Sequence, residues 1–370
     1  MPPIQRFSCF VLVAYFLLGT VYLLSCGSLA QAVLPSSTQQ ATHIEKAVRP
    51  KASAVANRRE RGSSTRPVPH SASVDMAVFG DMPYVPEDGA KVEGLIGRIN
   101  RLAPDFVVHV GDIKSGTEPC DRSLYEARLA QMQLVSAPLF YTPGDNEWTD
   151  CSRLRAGAYD PLERLHLLRH VFYTAGLEKT HRLERQGAFL VSGNALPTVG
   201  AYRSGPHAPY VENMLWQVNG VVFATLHVVG SNNHLSLAGL SEFKDRQLAN
   251  EAWLTHVFEV ARRENAPAVG LFFHADPMLE QPEAVRAGFL PFTEALVRLV
   301  KAYQKPVLLV HGDSHLFRVD HPLRDPQTGG LLSQVTRVIV YGDRDVYGVH
   351  IRFSPKQTTP FTVETLTPED

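Results

Sequence analysis

Six short segments of this chain end a predicted strand in an acidic residue or a histidine, and their order and spacing constrain the fold. Asp81 and Asp112 are 31 residues apart, and Asp112 and Asp145 are 33 residues apart. A strand–helix–strand unit takes about 30 residues, so the spacing predicts that these aspartates reach one edge of a parallel sheet. The six segments are Phe79-Gly80-Asp81, Val110-Gly111-Asp112, Pro143-Gly144-Asp145-Asn146-Glu147, Phe273-His274, Val310-His311 and Gly312-Asp313-Ser314-His315.

The pattern between these segments predicts alternating strands and helices from Val74 onwards. In the first predicted helix, apolar residues recur at helical spacing, at Val92, Leu95, Ile96 and Ile99. Carboxylate and imidazole groups that meet at one sheet edge suit divalent metal ions. The predicted strands are 76–79, 106–110, 139–141, 221–226, 268–273, 307–310, 335–341 and 348–353, and the predicted helices are 91–102, 124–135, 161–173, 243–264 and 290–303.

The composition indicates a mostly globular chain that can bury a substantial core. Of its 370 residues, 44% are hydrophobic, which suits one large domain or two small ones. The formal net charge of −1 gives no reason to expect nucleic acid or acidic lipid as a partner.

The first 32 residues are predicted to be a signal peptide. Arg6 supplies a short positive region, residues 10–24 are apolar and free of charge, and Ala30-Gln31-Ala32 is a small-x-small cleavage pattern. Two alternatives stay open: an uncleaved anchor, and a lipoprotein acylated at Cys26. Residues 33–73 are rich in Ser, Thr, Ala, Pro and Arg and are predicted to be a disordered linker. We therefore expect a secreted or periplasmic protein with its globular domain at 74–365.

Two cysteines lie in the expected mature chain, and we predict that they form a disulfide. Cys120 follows the loop of Asp112, and Cys151 follows the loop of Glu147. An even pair of cysteines in an exported chain favours a bridge between the two loops. Two separate buried thiols are the alternative. A zinc pair is disfavoured because no further cysteine completes a thiolate site.

One region lacks a regular pattern beyond a single predicted helix. Residues 151–217 are rich in Gly and Pro and are predicted to form an irregular insertion near the sheet edge. Such an insertion shapes a substrate pocket in many proteins, although surface elaboration is equally compatible with the sequence.

The ordered set of strand-end motifs resembles the calcineurin-like metallophosphoesterases. That family carries Asp-x-His, Gly-Asp, Gly-Asn-His-Asp/Glu, a lone His and Gly-His-x-His, each at a strand end. Each motif alone is weak, but five in order over residues 74–353 make a specific composite signal. The matching positions here are Asp81, Gly111-Asp112, Gly144-Asp145-Asn146-Glu147, His274 and Gly312-Asp313-Ser314-His315.

The resemblance implies an α/β fold, a four-layer α/β/β/α sandwich with two mixed sheets, and a site for two divalent metal ions. Carried over position by position, Asp112 would bridge both ions. Asp81 and His315 would bind the first ion, and the second would be bound by Asp145, His274 and Asp313. The implied reaction is hydrolysis of a phosphate ester by a hydroxide held between the two metals.

The sequence departs from the family pattern at four positions. Pro83 stands where the first motif has its histidine, and Asp145 replaces the ligand Asn. Asn146 replaces the His that assists the leaving group, and Asp313 replaces the first His of the last motif. A site richer in carboxylate favours Mn, Fe, Mg or Ca over Zn. Loss of a proton donor predicts that aryl phosphates are hydrolysed faster than alkyl phosphates.

Several residues near these motifs have more than one interpretation. Asn146 and Glu147 are the candidate catalytic residues, and Glu147 is predicted to act by orienting its neighbours. His311 is an alternative to Asp313 as a ligand. Tyr84 either compensates for the missing histidine or, as the sequence favours, packs as an ordinary tyrosine. Asn232 and Asn233 are candidate substrate-binding residues because their amides follow a strand end, although a solvated turn is an equal alternative.

The function expected from the resemblance is that of an exported metal-dependent phosphoesterase acting on a small-molecule phosphate monoester or diester. Two alternatives remain: a degenerate relative that binds metal or phosphate without turnover, and a metal-stabilised interaction module. Membrane contact is expected only if the N-terminal segment is retained or lipidated, and the sequence does not indicate an oligomeric state. Gly-x-Ser-x-Gly and Gly-rich phosphate-loop motifs are both lacking.

Overall fold

The computed structural model describes residues 72–180, 183–186 and 210–368. The predicted signal peptide and all but the last two residues of the predicted linker lie outside these ranges. Among the helices of the described ranges, none combines the length and the apolar character needed to cross a membrane.

Two mixed β-sheets form the centre of the molecule. The first has five strands in the order β12-β11-β1-β2-β3, and the second has seven in the order β4-β5-β6-β7-β8-β10-β9. The strands are β1 Val74–Phe79, β2 Phe106–His109, β3 Leu139–Tyr141, β4 Glu184–Arg185, β5 Met214–Val218, β6 Val221–Thr225, β7 Val269–Phe272, β8 Val307–His311, β9 Arg318–Asp320, β10 Val335–Ile339, β11 Gly348–Phe353 and β12 Phe361–Leu366.

The helices cover the outer faces of the two sheets. Helices α1 to α3 pack on the first sheet, and α4 and α5 pack on the second. This arrangement is the four-layer α/β/β/α sandwich predicted from the sequence. The helices are α1 Gly89–Leu102, α2 Arg122–Met132, α3 Pro161–Phe172, α4 Leu240–Arg263 and α5 Leu290–Tyr303.

Alternation along the strands divides the core into layers. In β1, Met76 and Val78 point into the space between the sheets, whereas Ala77 and Phe79 pack against the outer helices. This is the period of two that strand geometry imposes on side chains. Aromatic side chains fill the space between the sheets, where Trp216 stacks on Phe140 with ring centroids 3.6 Å apart.

The register of the parallel strands brings the motif residues to one edge. In the first sheet Phe79 pairs with His109, and His109 pairs with Tyr141, so these strands end level with each other. In the second sheet Thr225 pairs with Phe272, and Phe272 pairs with Val310. The loops that follow β1, β2, β3, β6, β7 and β8 therefore meet at one end of the sandwich, which we call the metal edge.

The main differences from the sequence prediction are short or edge strands. Strand β4 and all but the last residue of β5 lie inside the stretch 151–217 that was predicted to be irregular, and β9 and β12 were not predicted. The Gly230–Asn233 segment after β6 forms a left-handed turn in which Ser231, Asn232 and Asn233 have φ angles of 51°, 54° and 55°.

Candidate metal centre

Six predicted ligand side chains converge at the metal edge. Ligand atoms of Asp81, Asp112 and His274 lie within 4.8 Å of one another, and so do those of Asp145, His274 and Asp313. The two groups share His274, so they are parts of one cluster. His315 joins the first group, because its Nε2 lies 3.3 Å from Asp81 Oδ1.

His274 is oriented by a contact between the two sheets. Its Nδ1 lies 2.8 Å from the backbone oxygen of Val110, which directs Nε2 towards the carboxylates. Nε2 lies 3.1 Å from Asp145 Oδ1 and 3.4 Å from Asp112 Oδ1. A histidine that donates one ring N–H to a carbonyl and presents the other nitrogen is the usual arrangement of a metal ligand.

Four of the candidate ligands have a left-handed backbone. The φ angles are 55° at Asp81, 54° at Asp112, 71° at Asp313 and 57° at His315. Such conformations are costly for residues other than glycine and are concentrated at functional sites. The sharp reversal after each strand brings the side chain back over the sheet edge.

Two glycines of the motifs have no side chain where the ligand side chains need room. A Cβ at Gly144 would lie 2.0 Å from Asp112 Oδ1, and one at Gly312 would lie 2.0 Å from Asp81 Oδ2. The Gly-Asp pairs of the motifs are therefore required by close packing at the centre, not only by turn formation.

Glu147 is a positioning residue. It is fully buried, and its Oε1 accepts hydrogen bonds from the backbone N–H groups of Asp112 at 3.0 Å and Gly144 at 2.7 Å and from the Tyr141 hydroxyl at 2.7 Å. These contacts hold the second and third motif loops together, and the role of Glu147 in orienting groups for catalysis stays a prediction.

Tyr84 lies in the centre, which corrects the prediction that it packs as an ordinary tyrosine. Its hydroxyl donates to Asp112 Oδ2 at 2.8 Å and lies 3.2 Å from His315 Nε2. Asn146 also donates to Asp112, through Nδ2 to Oδ2 and through its backbone N–H to Oδ1 at 3.0 Å. Asp112, a member of the first group, is thus held by a phenol and an amide.

The left-handed turn contributes a serine that the sequence did not single out. Ser231 Oγ donates to Asp145 Oδ2 at 2.7 Å and to Asp150 Oδ1 at 3.2 Å. Asp150 in turn binds Arg153 Nη1 at 2.6 Å. About half of the Arg153 side chain is exposed. Its guanidinium lies beside Asn146, since Arg153 Nη1 and Asn146 Oδ1 are both 2.8 Å from the point where a Cβ atom on Gly116 would stand.

The two predicted substrate-binding asparagines have structural contacts in this turn. Asn233 is fully buried, where Oδ1 accepts from Arg246 and Nδ2 donates to the backbone oxygen of Gly288 at 3.0 Å. Asn232 Oδ1 accepts from the backbone N–H of Gly288 at 2.9 Å. Asn233 therefore shapes the turn, and Ser231 is the residue of the turn whose side chain bonds a candidate ligand.

The predicted alternative ligand, His311, does not face the cluster. It is fully buried, its Nδ1 lies 3.1 Å from the backbone oxygen of Gly312, and its ring stacks on Phe273. Burial lowers its pKa to about 4. Asp313, by contrast, contributes Oδ1 to the second ligand group, 4.0 Å from His274 Nε2.

The predicted disulfide is present between Cys120 and Cys151, whose Cα atoms are 5.8 Å apart. It connects the loop that follows Asp112 to the loop that follows Glu147. Tyr125 on α2 adds a hydrogen bond to the backbone oxygen of Glu147 at 2.6 Å. The bridge therefore supports the backbone behind the cluster.

The electrostatics of the cluster indicate a deficit of positive charge. Burial raises the pKa of Asp112 well above its ordinary value, and burial raises that of Asp313 to about 6. Burial lowers the pKa of His274, but Asp112 and Asp145 outweigh it and raise that pKa well above its ordinary value. Without another cation, the carboxylates are compensated by protons.

The donor set fits divalent metal ions. Asp81 Oδ2 is buried and makes no hydrogen bond, an arrangement that is costly for a carboxylate oxygen unless a cation binds it. Four carboxylates and two imidazoles in one cluster offer the oxygen and nitrogen ligands of a two-metal site.

Comparisons with known proteins identify the fold. No family model matches the sequence, and no curated protein matches it. A structure of PhoD is 13% identical to this chain. The match covers 81% of this chain and 70% of the PhoD chain, with a TM-score of 0.50. A dimetal phosphatase from Danio rerio is 12% identical and covers 80% of this chain and 99% of its own, with a TM-score of 0.44. A purple acid phosphatase from yellow lupin seeds is 13% identical. The match covers 80% of this chain and 54% of the phosphatase chain, with a TM-score of 0.45.

The likeness to PhoD concerns the fold, and it confirms the resemblance predicted from the strand-end motifs. The chain has the α/β fold of the calcineurin-like metallophosphoesterases and diverges from their sequence motifs.

Proposed function

We propose that the protein is a metal-dependent phosphoric ester hydrolase with a two-metal site at the metal edge. The observation that carries the proposal is the pair of ligand groups that share His274, with Asp112 in the first group and its Oδ1 3.4 Å from His274 Nε2. The phosphatase neighbours support the same class of reaction at a coarse level.

We assign the ligands as the family resemblance implies, and the grouping of Asp145, His274 and Asp313 supports the second set. Asp81 and His315 would bind the first ion, Asp145, His274 and Asp313 would bind the second, and Asp112 would bridge them. When bound, the ions supply Lewis acidity to the phosphoryl oxygens and lower the pKa of a coordinated water. The excess of carboxylates favours Mn, Fe, Mg or Ca over Zn.

The other polar residues of the site orient these ligands and the substrate. Tyr84 and Asn146 fix the carboxylate of Asp112, and Ser231 fixes that of Asp145. Arg153, which pairs with Asp150, is a half-exposed cation beside this acidic cluster, so its guanidinium is placed to attract the phosphate group. The amide of Asn146 cannot transfer a proton to a leaving group, because its N–H groups are not acidic, and this supports a preference for aryl esters.

We also propose that the protein works outside the cytoplasm, as a domain spanning about 74–365 that follows a signal peptide and a linker. The disulfide supports this placement, because such bridges persist mainly in oxidising compartments.

The test is hydrolysis of an aryl phosphate monoester and diester by chelator-treated protein reloaded with Mn²⁺. We expect turnover to fall at least about 100-fold in Asp112→Asn, because the bridging carboxylate is lost. Asp345→Asn, an exposed aspartate on the same edge, is the matched control and should keep the wild-type rate. Equal rates in wild type and Asp112→Asn would contradict the proposal.

A second candidate function is binding of metal and phosphate without turnover. It is favoured by Asn146, which occupies the position of a proton-donating histidine and is held by Asp112. Wild-type protein that binds two Mn²⁺ ions and inorganic phosphate but hydrolyses neither ester would establish this function instead.

A further inference from the structure

A fifth Gly-Asp pair lies at the metal edge, on a loop that none of the family motifs covers. Strand β10 runs parallel to β8, and Ile339 pairs with His311, so the two strands end level with each other. The loop that follows β10 carries Gly342 and Asp343. This loop therefore reaches the same edge of the sheet as the candidate ligands that follow β8.

The backbone of this pair lies against the two residues that are assigned to the first ion alone. The backbone N–H of Asp343 donates to the backbone oxygen of Asp81 at 2.9 Å. A Cβ at Gly342 would lie 2.3 Å from Asp81 Cβ and 3.0 Å from His315 Cδ2. The side chain of Asp343 therefore leaves the chain next to both of these ligands.

Asp343 has the same backbone conformation as four of the candidate ligands. Its φ angle is 55°, equal to that of Asp81 and close to the 54° of Asp112 and the 57° of His315. An aspartate in this left-handed region directly after a glycine repeats the local geometry of the Gly-Asp motifs.

The charge of Asp343 acts on the imidazole assigned to the first ion. Burial lowers the pKa of His315, but the carboxylates of Asp81 and, after it, Asp343 outweigh burial and raise that pKa. In the described part of the chain, the one ion pair of Asp343 is with Arg344, whose Nε lies 4.0 Å from Asp343 Oδ2 and whose side chain is 94% exposed. A pair so exposed contributes little, so it does not commit the carboxylate of Asp343, itself half exposed, to another partner.

The first ion has fewer protein ligands than the second. Pro83 stands where the family has a histidine. Asp81, His315 and the shared Asp112 leave the first ion with three protein ligands, against four for the second. The hydroxyl of Tyr84 donates to Asp112 Oδ2, so it orients that carboxylate. Asp81 Oδ2, which is buried and makes no hydrogen bond, independently points to a cation on this side of the centre.

We propose that Asp343 is a ligand of the first ion, in place of the histidine whose position Pro83 occupies. The first ion is then held by three carboxylates and one imidazole, a set that favours hard divalent cations over zinc. The inference rests on the two-metal site proposed above and adds a residue to it that no motif indicates.

The assignment is tested by calorimetric titration of the chelator-treated full chain with Mn²⁺, without substrate. Asp343→Gly removes the carboxylate, and glycine suits the left-handed backbone at this position. We expect binding at one of the two sites to weaken at least about tenfold, because a ligand is lost. Asp345→Gly, which removes the same charge from an exposed position of the same loop, is the matched control and should bind both ions with wild-type affinity.

Double variants identify the ion that is affected. His315→Ala removes a ligand of the first ion, so adding Asp343→Gly to it should change the affinity of the remaining site by less than about twofold. Asp145→Ala removes a ligand of the second ion, and in that protein Asp343→Gly should keep its full effect on the first.

The two proposals can fail separately. Wild-type affinity at both sites in Asp343→Gly would overturn the assignment of Asp343 while leaving the two-metal site intact. Equal losses in Asp343→Gly and Asp345→Gly would also overturn it, since the charge of the loop and not coordination would be the cause. A wild type that binds fewer than two Mn²⁺ ions would contradict the two-metal site itself. Two bound ions, one of them weakened by Asp343→Gly, in a protein that hydrolyses neither ester would contradict the phosphoesterase alone.

Discussion

At the scale of single residues, the candidate metal centre depends on neighbours that hold its ligands in place. His274 is oriented by the backbone of Val110, Asp112 by Tyr84 and Asn146, and Asp145 by Ser231. Groups of this kind affect metal affinity almost as strongly as the ligands themselves.

Tyr84→Phe should weaken metal binding while leaving the fold intact. The change removes the hydroxyl that donates to Asp112 and contacts His315, and loss of such an orienting group costs about 10- to 100-fold in metal affinity. Titration calorimetry with Mn²⁺ measures the change. Tyr159→Phe, which removes a hydroxyl bonded to Asp121 away from the centre, is the matched control. Wild-type affinity in Tyr84→Phe would show that the hydroxyl does not support the centre.

Metal affinity should rise with pH through the neutral range. In the metal-free protein Asp112 and Asp145 raise the pKa of His274 well above its ordinary value, so its ring keeps its proton to a higher pH than an ordinary histidine does. A metal ion requires the neutral ring, so binding releases that proton and is favoured as the pH increases. Calorimetry at several pH values, in buffers of different ionisation enthalpy, counts the protons released. Constant affinity from pH 6 to 8 without proton release would contradict this expectation.

The site residues that the sequence predicted differ from those that it missed in the kind of backbone segment that carries them to the centre. Asp81, Asp112 and His274 follow strands directly, so the strand pattern alone predicts where they lie. Arg153 and Ser231 reach the centre through a 3₁₀ segment and a left-handed turn, whose paths no periodicity indicates. Weak signals for them exist in the clusters of small polar residues around both positions.

At the scale of elements, the metal edge is made rigid by short segments between the regular strands and helices. The Cys120–Cys151 bridge supports the loops behind the centre, and the left-handed turn is held by Arg246 from α4. Long strands and helices were predictable because each buries a periodic apolar face. Strand β12 was not predicted, because its exposed positions interrupt the alternation at the edge of the sheet.

Replacing both cysteines with serine should destabilise the domain by about 3–4 kcal/mol. The bridge closes a loop across a sequence separation of 31 residues, and the entropy of such a loop in the unfolded chain gives a value of this size. Urea unfolding of Cys120→Ser/Cys151→Ser and of wild type measures the difference. Dithiothreitol should lower the wild-type free energy of unfolding and leave the double variant unchanged. An equal effect of dithiothreitol on both proteins would show that the bridge is not the cause.

At the scale of the whole molecule, a buried charge network connects the two halves of the sandwich. Arg169 on α3, which packs on the first sheet, pairs with Glu212, which precedes β5 of the second. His227, after β6, binds the same carboxylate at 2.7 Å. The layered fold was predictable from strand–helix alternation, but this pairing was not, because the two charges lie 43 residues apart across a region without a regular pattern.

This network should make the domain sensitive to acid. Burial alone would raise the pKa of Glu212, but Arg169 and His227 outweigh it and hold the pKa well below its ordinary value. A carboxylate whose pKa is lowered by folding stabilises the native state above its unfolded pKa of about 4.3 and loses that contribution as the pH falls below it. The wild-type free energy of unfolding should therefore decrease from pH 5 towards pH 3.

Glu212→Gln should remove much of this dependence and destabilise the domain by about 3–5 kcal/mol at pH 7, because it leaves the charge of Arg169 buried without a partner. Urea unfolding across this pH range, with chelator present throughout, measures both effects. Glu126→Gln breaks an exposed ion pair with Arg122 on α2 and should change stability by less than about 1 kcal/mol. Since the cluster carboxylates titrate in all three proteins, the difference between wild type and Glu212→Gln isolates the network. Parallel stability curves for these two proteins between pH 6 and pH 3 would show that acid acts elsewhere in the molecule.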